Sequence, residues 1–314
     1  MQSDKKNLLE ISKAEANKWI RYGLKKNEED EVNNLLLVGN EDILMESFHK
    51  KLEFGTGGMR GLIGIGSNRI NSYTISLATQ GLCNYLNKVI HGNKSAVIAY
   101  DSRRFSKEFG NQTAKIFSAN NIKSYIFSDL RPTPELSFAV RELNCSCGIV
   151  ITASHNPKEY NGYKVYWNDG GQITSPHDNN IISEVEKITD FNQINFNFNS
   201  DLIEEIDDKI DKKYIEKIQD LSVYDNSRSK LKIIFSSLHG TGITQIPNAL
   251  NAFGFKNISS VRSQELPDPE FSTVTSPNPE DLDALDLGIK KLKKEKADIL
   301  LATDPDSDRV GVAL

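Results

Sequence analysis

The chain has 314 residues, which suggests two domains and a core large enough to fold without disulfides or structural metals. Its 38 basic and 43 acidic side chains give a formal net charge of −5, which argues against a general nucleic-acid binder. No secretory signal opens the sequence, and no apolar run approaches the roughly 18 residues of a membrane span. We therefore expect a cytoplasmic protein with no nucleic-acid or membrane partner.

The first fifty residues predict a helical cap. Apolar side chains such as Trp19, Leu24, Leu44 and Phe48 recur at helical spacing among Lys and Glu. We expect this segment to pack on the rest of the protein as scaffold.

From residue 95 onward, short apolar runs alternate with helical segments. The predicted elements are, in order, a strand over 96–100, a helix over 106–120 with Ser106 as N-cap, a strand over 125–127, a helix from Thr133 and a strand over 148–152. This β-α-β-α-β order predicts an open α/β sheet with mostly parallel strands.

The same alternation returns after a polar stretch at 191–200, which we interpret as a linker or edge strand following a helix at about 177–189. The later predictions are helices over 207–221, 244–253 and 281–296, with strands over 231–235, 258–261 and 298–303. We therefore predict tandem α/β/α domains over 51–200 and 201–314, with mixed but mostly parallel sheets, after the cap at 1–50. The apolar run at 309–314 is strand-like, so we expect the second domain to be truncated there.

One candidate reactive segment, Thr-Ala-Ser-His-Asn-Pro at 152–157, directly follows a predicted strand. Ligands of open α/β sheets bind outside the carboxyl ends of strands, so the Ser154 hydroxyl is a candidate nucleophile. His155 and Asn156 are positioned to orient it or a phosphate on it, although a plain strand-exit turn would have a similar sequence. Asn161-Gly162 predicts a tight turn that folds Lys164 back toward Ser154; the alternative is a solvated strand lysine.

A second segment, Asp-Pro-Asp-Ser-Asp-Arg at 304–309, also follows a predicted strand. Three carboxylates at alternate positions repel one another unless a cation is bound, and oxygen ligands suit Mg²⁺. Arg309 beside them is suited to bidentate phosphate binding. An EF-hand is excluded, because its sixth position needs Gly and is Arg309 here.

Two glycine-rich segments are less specific. Phe-Gly-Thr-Gly-Gly-Met-Arg-Gly at 54–61 fits neither a P-loop nor a dinucleotide-binding motif, but its glycines permit close backbone approach to a ligand, and Arg60 is a candidate phosphate ligand. A glycine-rich turn between the cap and the sheet would look alike. For His-Gly-Thr-Gly at 239–242 we favour a strand-to-helix turn with a capping Thr241.

Together these segments resemble the α-D-phosphohexomutase superfamily of phosphoglucomutases and phosphomannomutases. The family's F-G-T-x-G-x-R-G is matched at 54–61, its phosphoserine loop T-[AG]-S-H-N-P at 152–157 with Y-N-G-[FY]-K at 160–164, and its metal loop D-x-D-x-D-R at 304–309. The long helical N-terminus and the Gly-Gly pair are most similar to the branch of phosphoglucomutase-2-type enzymes. Pro305 and Ser307 depart from the family's usual Gly or Ala. Of the family's four domains, this chain would supply the first and most of the second.

The resemblance implies an isomerase that shifts a phosphoryl group through a phosphoserine enzyme and a bisphosphate intermediate. The small-molecule substrate would be a sugar phosphate, Mg²⁺ the cofactor and a sugar 1,6-bisphosphate the activator. The implied catalytic residues are Ser154, Lys164, Arg60 and His155. The implied substrate-binding residues are Arg60, Asn156, Lys164 and Arg309. The implied metal ligands are Asp304, Asp306, Asp308 and a phosphate oxygen on Ser154.

Two other interpretations stay open at this point. A haloacid-dehalogenase-type phosphatase would carry its phosphate on Asp304, although that family prefers Thr or Val where Asp308 stands. A non-catalytic fragment would bind Mg²⁺ and phosphosugar without turnover, because the family's sugar-recognition motif G-E-x-S-G is missing from these 314 residues. We expect little activity from the chain alone. Neither the sugar nor the oligomeric state follows from the sequence.

Overall fold

The computed structural model describes residues 2–55, 57–223 and 230–314. Thr56 of the glycine-rich motif at 54–61 lies outside the described residues. Within these ranges no helix is both long and apolar enough to cross a membrane. The α-helices are α1 (Gln2–Arg21), α2 (Lys26–Leu35), α3 (Glu41–Phe48), α4 (Ser72–Val89), α5 (Ser106–Ala119), α6 (Thr133–Glu142), α7 (His177–Glu186), α8 (Asp208–Gln219), α9 (Gly242–Ala252) and α10 (Leu282–Glu295). The strands are β1 (Phe54–Gly55), β2 (Gly58–Leu62), β3 (Ser95–Tyr100), β4 (Lys123–Phe127), β5 (Cys147–Ile151), β6 (Tyr160–Trp167), β7 (Ile203–Ile206), β8 (Lys232–Ser236), β9 (Asn257–Ser260), β10 (Ile299–Thr303) and β11 (Val310–Ala313).

The first sheet has seven strands in the order β1-β2-β6-β5-β3-β4-β7. Strands β5, β3, β4 and β7 are parallel neighbours, whereas β6, β2 and β1 continue the sheet antiparallel. Apolar side chains are buried on both faces: one group lies with α4, α5 and α7, and the other with α6. Burial on both faces accounts for the continuous apolar runs of β3 and β5.

The second sheet has four strands in the order β11-β10-β8-β9. Strands β10, β8 and β9 are parallel, and β11 returns antiparallel along β10. Helix α10 packs its buried leucines, Leu285 and Leu292, against Leu300 of β10. The predicted α/β class of mixed, mostly parallel sheets is therefore confirmed. The domain limits stay a prediction. Strand β7 (Ile203–Ile206) follows the predicted boundary at residue 200, yet it pairs with β4 of the first sheet.

The N-terminal segment forms three helices that pack on the first unit, meaning the first sheet with its helices. The Trp19 ring is 1% exposed and lies 5.6 Å from the ring of Phe48 and 5.3 Å from that of Phe191. Aromatic packing of this kind anchors the cap through its apolar faces. Its predicted helical structure and packing are confirmed.

Three local predictions differ from the structure, and one open alternative is decided. Ser106 is the first residue of α5 and not its N-cap; the N-cap is Phe105, and Ser106 Oγ instead donates to Asp101 Oδ1 at 2.7 Å. Of the two interpretations of 191–200, the edge strand is not formed, because the segment contains 3-10 turns in which Asn side chains bond to nearby backbone. Asn161-Gly162 lies inside β6, and Thr241 makes no side-chain cap hydrogen bond.

Candidate active site

The two candidate loops come from different sheets and meet at their strand ends. Strand β5 ends at Ile151 and leads into the serine loop, and β10 ends at Thr303 and leads into the acidic loop. Ser154 Oγ donates a hydrogen bond to Asp304 Oδ2 at 2.7 Å. Ser154 is 1% exposed and Asp304 0%. The two segments that sequence reasoning singled out separately therefore form one buried site.

Ser154 has an unusual backbone conformation, with a φ of +54°. Few residues other than glycine adopt this left-handed region, because the Cβ atom crowds the following carbonyl. The Ser154 N–H donates to Thr152 Oγ1 at 2.8 Å. His155 Nδ1 lies 3.3 Å from Ser154 Oγ. The turn thus directs the hydroxyl toward the acidic loop with an imidazole beside it.

The three carboxylates converge as the alternate spacing predicts. One oxygen from each of Asp304, Asp306 and Asp308 lies within 4.8 Å of the others. Lys164 Nζ donates to Asp306 Oδ2 at 2.6 Å and to Asp308 Oδ2 at 2.9 Å. Thr133 Oγ1 donates to Asp306 Oδ2 at 2.9 Å. Lys164 is a strand lysine, as the alternative interpretation had it, but it is buried and paired with two carboxylates.

Burial and mutual repulsion set the charge state of this cluster. Burial, followed by the charges of Asp306 and Asp308, raises the pKa of Asp304 to about 8. Burial also disfavours charge on Asp306, but its ion pair with Lys164 outweighs burial and lowers its pKa. Burial disfavours charge on Lys164, yet the two carboxylates outweigh it and raise its pKa. Without a cation, the cluster therefore holds an excess of negative charge that Lys164 only partly balances.

The donor set fits Mg²⁺. All three side chains offer carboxylate oxygens, which Mg²⁺ prefers. Asp306 Oδ1 is buried and finds no hydrogen-bond partner among the described residues, so one ligand atom is free for a cation. Asp304, Asp306 and Asp308 would hold the ion, with an oxygen at Ser154 close by.

Arg60 and Asn156 meet at the rim of the site. Arg60 lies on β2 opposite Gly162 of β6, and its Nη1 donates to Asn156 Oδ1 at 2.8 Å. Arg309 is the last residue of the acidic loop, and its backbone N–H donates to Asp304 Oδ1 at 3.1 Å.

Burial and the charges of Arg309 and Arg60 lower the pKa of His155, so its ring is neutral at neutral pH.

Gly58, in the glycine-rich segment at 54–61, permits a close approach of two strands. A Cβ on Gly58 would lie 1.9 Å from the Tyr163 carbonyl oxygen, so Gly58 permits close pairing of β2 with β6. The pairing brings Arg60 to the site. This agrees with the alternative of a glycine-rich connection into the sheet.

Two family models match the chain. The first, phosphoglucomutase/phosphomannomutase alpha/beta/alpha domain I, covers residues 51–192, and the second, domain II of the same family, covers 212–314. The chain belongs to the phosphoglucomutase/phosphomannomutase family. The resemblance noted on the three motifs is thereby confirmed.

Relatives of known name agree with this membership. The chain is 42% identical over 270 residues to a phosphoglucomutase of Staphylococcus haemolyticus and 41% over 271 residues to one of Staphylococcus aureus. Each alignment covers 85% of this chain and 49% of the relative, so the chain spans about half the length of these curated relatives.

Solved structures share the fold. A provisionally named phosphomannomutase from Thermus thermophilus has a TM-score of 0.73 at 26% identity, covering 84% of this chain and 57% of that one. A phosphoglucomutase/phosphomannomutase family protein from Burkholderia thailandensis has a TM-score of 0.68 at 22% identity, covering 83% and 54%.

Sequence reasoning missed Thr133 and Arg103 in this family member. The sequence pattern at Thr133 indicates a helix start, yet the Thr133 N–H donates to the Asp306 carbonyl at 2.9 Å and its hydroxyl to the Asp306 carboxylate. Arg103 matches no motif named above, although it follows a strand end in Asp101-Ser-Arg. Their position after the parallel strands β4 and β3 was the available signal, because those strands end at the same sheet edge as β5.

Gly240 marks a close approach between the turn at 239–242 and the acidic loop. Thr241 Oγ1 lies 3.1 Å from Ser307 Oγ. A Cβ on Gly240 would lie 2.3 Å from Pro305 Cα, a backbone atom that cannot move without moving the carboxylates.

We expect Gly240→Ala to lower the free energy of unfolding by about 2 kcal/mol, measured by urea denaturation. Gly55→Ala is the matched control, since its Cβ would meet nothing nearer than 3.8 Å. Equal losses in both variants would contradict this reading.

Proposed function

We propose that the chain is the phosphoserine-bearing part of a phosphosugar mutase, which moves a phosphoryl group between positions 1 and 6, or 1 and 5, of a sugar phosphate. The observation that carries this proposal is the 2.7 Å hydrogen bond from Ser154 Oγ to Asp304 Oδ2. It joins an oxygen nucleophile to a buried carboxylate cluster suited to Mg²⁺, and phosphoryl transfer depends on such positioning and charge compensation. The names of the staphylococcal relatives support the same reaction class.

In the proposed reaction, the enzyme starts with a phosphoryl group on Ser154. The bond from phosphorus to Ser154 Oγ breaks as a bond to a free sugar hydroxyl forms, and the proton that the hydroxyl gives up ends on Ser154 Oγ. The resulting bisphosphate turns over in the site and returns its other phosphoryl group to Ser154 Oγ. Phosphate is therefore conserved in each cycle, and a sugar 1,6-bisphosphate can phosphorylate an unmodified Ser154.

The surrounding side chains have proposed roles that follow from their positions. Lys164 and Arg60 stay protonated, so both neutralise phosphoryl charge and Lys164 also balances the carboxylates. His155, 3.3 Å from Ser154 Oγ, holds the phosphoryl group on Ser154. Arg309 and Asn156 bind substrate phosphate at the rim. The carboxylates of Asp304, Asp306 and Asp308 would hold Mg²⁺, which would supply positive charge that stabilises the transferring phosphoryl group.

We further propose that these 314 residues alone turn over slowly or not at all. The family's sugar-recognition motif G-E-x-S-G is absent from them, and they span about half the length of the curated relatives. A coupled mutase assay on this chain, compared with the same chain extended by the remaining half of a relative, tests this part separately.

Phosphorylation of the purified chain tests the main proposal. After incubation with Mg²⁺ and glucose 1,6-bisphosphate, we expect the intact mass to rise by one phosphoryl group, mapped to Ser154. Ser154→Ala should abolish the label completely. Ser76→Ala is the matched control, because Ser76 is equally buried at 1% exposed but lies on α4 and bonds to the Ser72 carbonyl.

The label's position decides among the alternatives. An acyl phosphate on Asp304, labile in base, would replace the mutase by the phosphatase mechanism. A label that persists in Ser154→Ala would overturn the assignment of Ser154, and no label in any variant would favour a binding-only fragment.

A further inference from the structure

The serine loop leaves the sheet and therefore cannot satisfy its carbonyl groups through strand pairing. Ser154 also sits at a φ of +54°, a conformation that persists only where the surrounding structure holds it. Buried carbonyls need donors, so the loop requires a partner that reaches several of them at once.

Arg103 is that partner. Its Nη2 donates to the carbonyls of Ser154 at 2.6 Å and Asn156 at 2.5 Å. Its Nη1 donates to the carbonyls of Pro157 at 2.8 Å and Tyr160 at 3.0 Å. One guanidinium thus spans the loop from the serine to the start of β6, in a fork geometry that only arginine provides.

The guanidinium is itself held on its remaining sides. Its side chain is 0% exposed, and Nε lies 3.2 Å from Asp101 Oδ2. Asp101 Oδ1 accepts hydrogen bonds from the backbone N–H of Arg103 at 3.0 Å and from Ser106 Oγ at 2.7 Å. The ring of Phe271, from the segment after β9, lies 5.0 Å from the guanidinium carbon. Residues from both units therefore fix Arg103.

The four Nη hydrogens are all used on loop carbonyls, so none is left for a phosphoryl oxygen. We propose that Arg103 is a positioning residue: it holds the backbone of residues 154–160 in the conformation that directs Ser154 Oγ at the acidic cluster. This inference rests on the proposed function of Ser154 and adds to it the side chain that sets the nucleophile's geometry.

Arg103→Lys tests the proposal in the full chain. A lysine keeps the positive charge beside Asp101 but cannot reach four carbonyls with one ammonium group. The matched control is Arg131→Lys. Arg131 is also a buried arginine, paired with Asp211 at 2.9 Å and 5.6 Å from the ring of Phe127, but it bonds to no carbonyl of the serine loop.

Two readouts separate positioning from general stability. The first is amide hydrogen exchange over 153–161, which we expect Arg103→Lys to accelerate about tenfold while the strands of the first sheet, apart from the start of β6, stay protected. The second is the single-turnover rate of Ser154 phosphorylation by glucose 1,6-bisphosphate. We expect that rate at saturation to fall about 100-fold, with less than about a threefold change in the half-saturating concentration. Arg131→Lys should leave both readouts near the parent values, even if its thermal midpoint falls as far as that of Arg103→Lys.

The exchange readout does not depend on phosphorylation, so the two proposals fail separately. A parent chain that takes no phosphate, combined with faster loop exchange in Arg103→Lys, overturns the function of Ser154 and supports the positioning role. Unchanged loop exchange, or equal effects in Arg131→Lys, overturns the positioning role. If Arg103→Lys does not fold, Phe271→Leu replaces it. Loss of the ring beside the guanidinium should raise exchange at 153–161 more than elsewhere, and uniform exchange would overturn the proposal.

Discussion

Lys164→Met is expected to lower the free energy of unfolding by about 3–5 kcal/mol in Mg²⁺-free buffer at pH 7.5. The substitution keeps the aliphatic stem but removes the ammonium that lies 2.6 Å from Asp306 Oδ2 and 2.9 Å from Asp308 Oδ2. Asp306 is 0% exposed, so its charge would be left buried without an ion-pair partner. Urea denaturation measures the loss.

Mg²⁺ should restore most of that loss. A divalent ion bound by the carboxylates replaces the missing positive charge, and an ion that binds only the folded state stabilises it by mass action. The matched control is Lys88→Met, whose Nζ lies 2.6 Å from Glu184 Oε2 but whose side chain is 57% exposed. Lys88→Met should lower the free energy of unfolding by less than about 1 kcal/mol, with or without Mg²⁺. A Lys164→Met loss that Mg²⁺ does not reduce would show that the lysine is not compensating the acidic cluster.

The same loss should depend on pH in a defined direction. Lys164 holds the pKa of Asp306 below its usual range. A carboxyl group with a lowered folded-state pKa stabilises the protein above its unfolded-state pKa and loses this contribution as pH falls through the folded-state pKa. The difference between the parent chain and Lys164→Met should therefore be largest at neutral pH and shrink toward acid pH.

Glu135→Gln is expected to stabilise the protein, and more strongly as pH rises. Glu135 on α6 is 0% exposed, and burial, followed by the nearby Asp211 carboxylate, raises its pKa to about 9. Its Oε1 accepts from Gln245 Nε2 of α9 at 3.4 Å. Asp211 of α8 in turn binds Arg131 through both carboxylate oxygens. The group therefore joins α6 to the two helices that follow the first sheet.

The sign follows from linkage. A carboxyl group whose folded-state pKa is raised contributes full stability below its unfolded-state value near 4.5 and loses that contribution as pH rises toward the folded-state value of about 9. Glutamine keeps the shape and a hydrogen-bond donor but cannot ionise. We expect no gain near pH 4.5 and a gain of about 2 kcal/mol or more at pH 8, measured by urea denaturation across this range.

Glu142→Gln provides the control for the same two helices. Glu142 ends α6 and pairs with Lys213 of α8, but its side chain is 31% exposed. Its substitution should change stability by less than about 1 kcal/mol, without the rise between pH 4.5 and 8. A flat pH profile for Glu135→Gln would mean that Glu135 is ionised in the folded protein.

Most elements were predictable from the sequence because their patterns are local. The runs at 96–100 and 148–152 are strands within one residue of the predicted limits, since burial on both faces demands continuous apolar residues. The Asn161-Gly162 turn was predicted wrongly for a tertiary reason. A Cβ on Gly162 would lie 2.6 Å from the Thr152 carbonyl oxygen, so this glycine serves close strand pairing and not a turn.

The candidate site divides in the same way. The acidic spacing at 304–309 by itself predicts a convergent carboxylate cluster, and the position of Ser154 after a strand predicts that it lies at the ligand-binding edge of the sheet. Neither pattern encodes the distance between them. Ser154 and Asp304 are separated by 150 positions and belong to different sheets, and their 2.7 Å contact exists because the strand ends of the two units face each other.

The sequence by itself determined the α/β class, the helical cap, the family motifs and the candidate nucleophile and metal ligands, because each depends on residue type at short spacing. The tertiary structure alone decided that Lys164 pairs with two of the carboxylates, that Arg103 binds four carbonyls of the serine loop and that Glu135 is buried beside Asp211. These contacts depend on which strand and helix ends meet and how completely water is excluded there. Burial strengthens charge interactions and shifts pKa values, and burial is a property of the packed molecule.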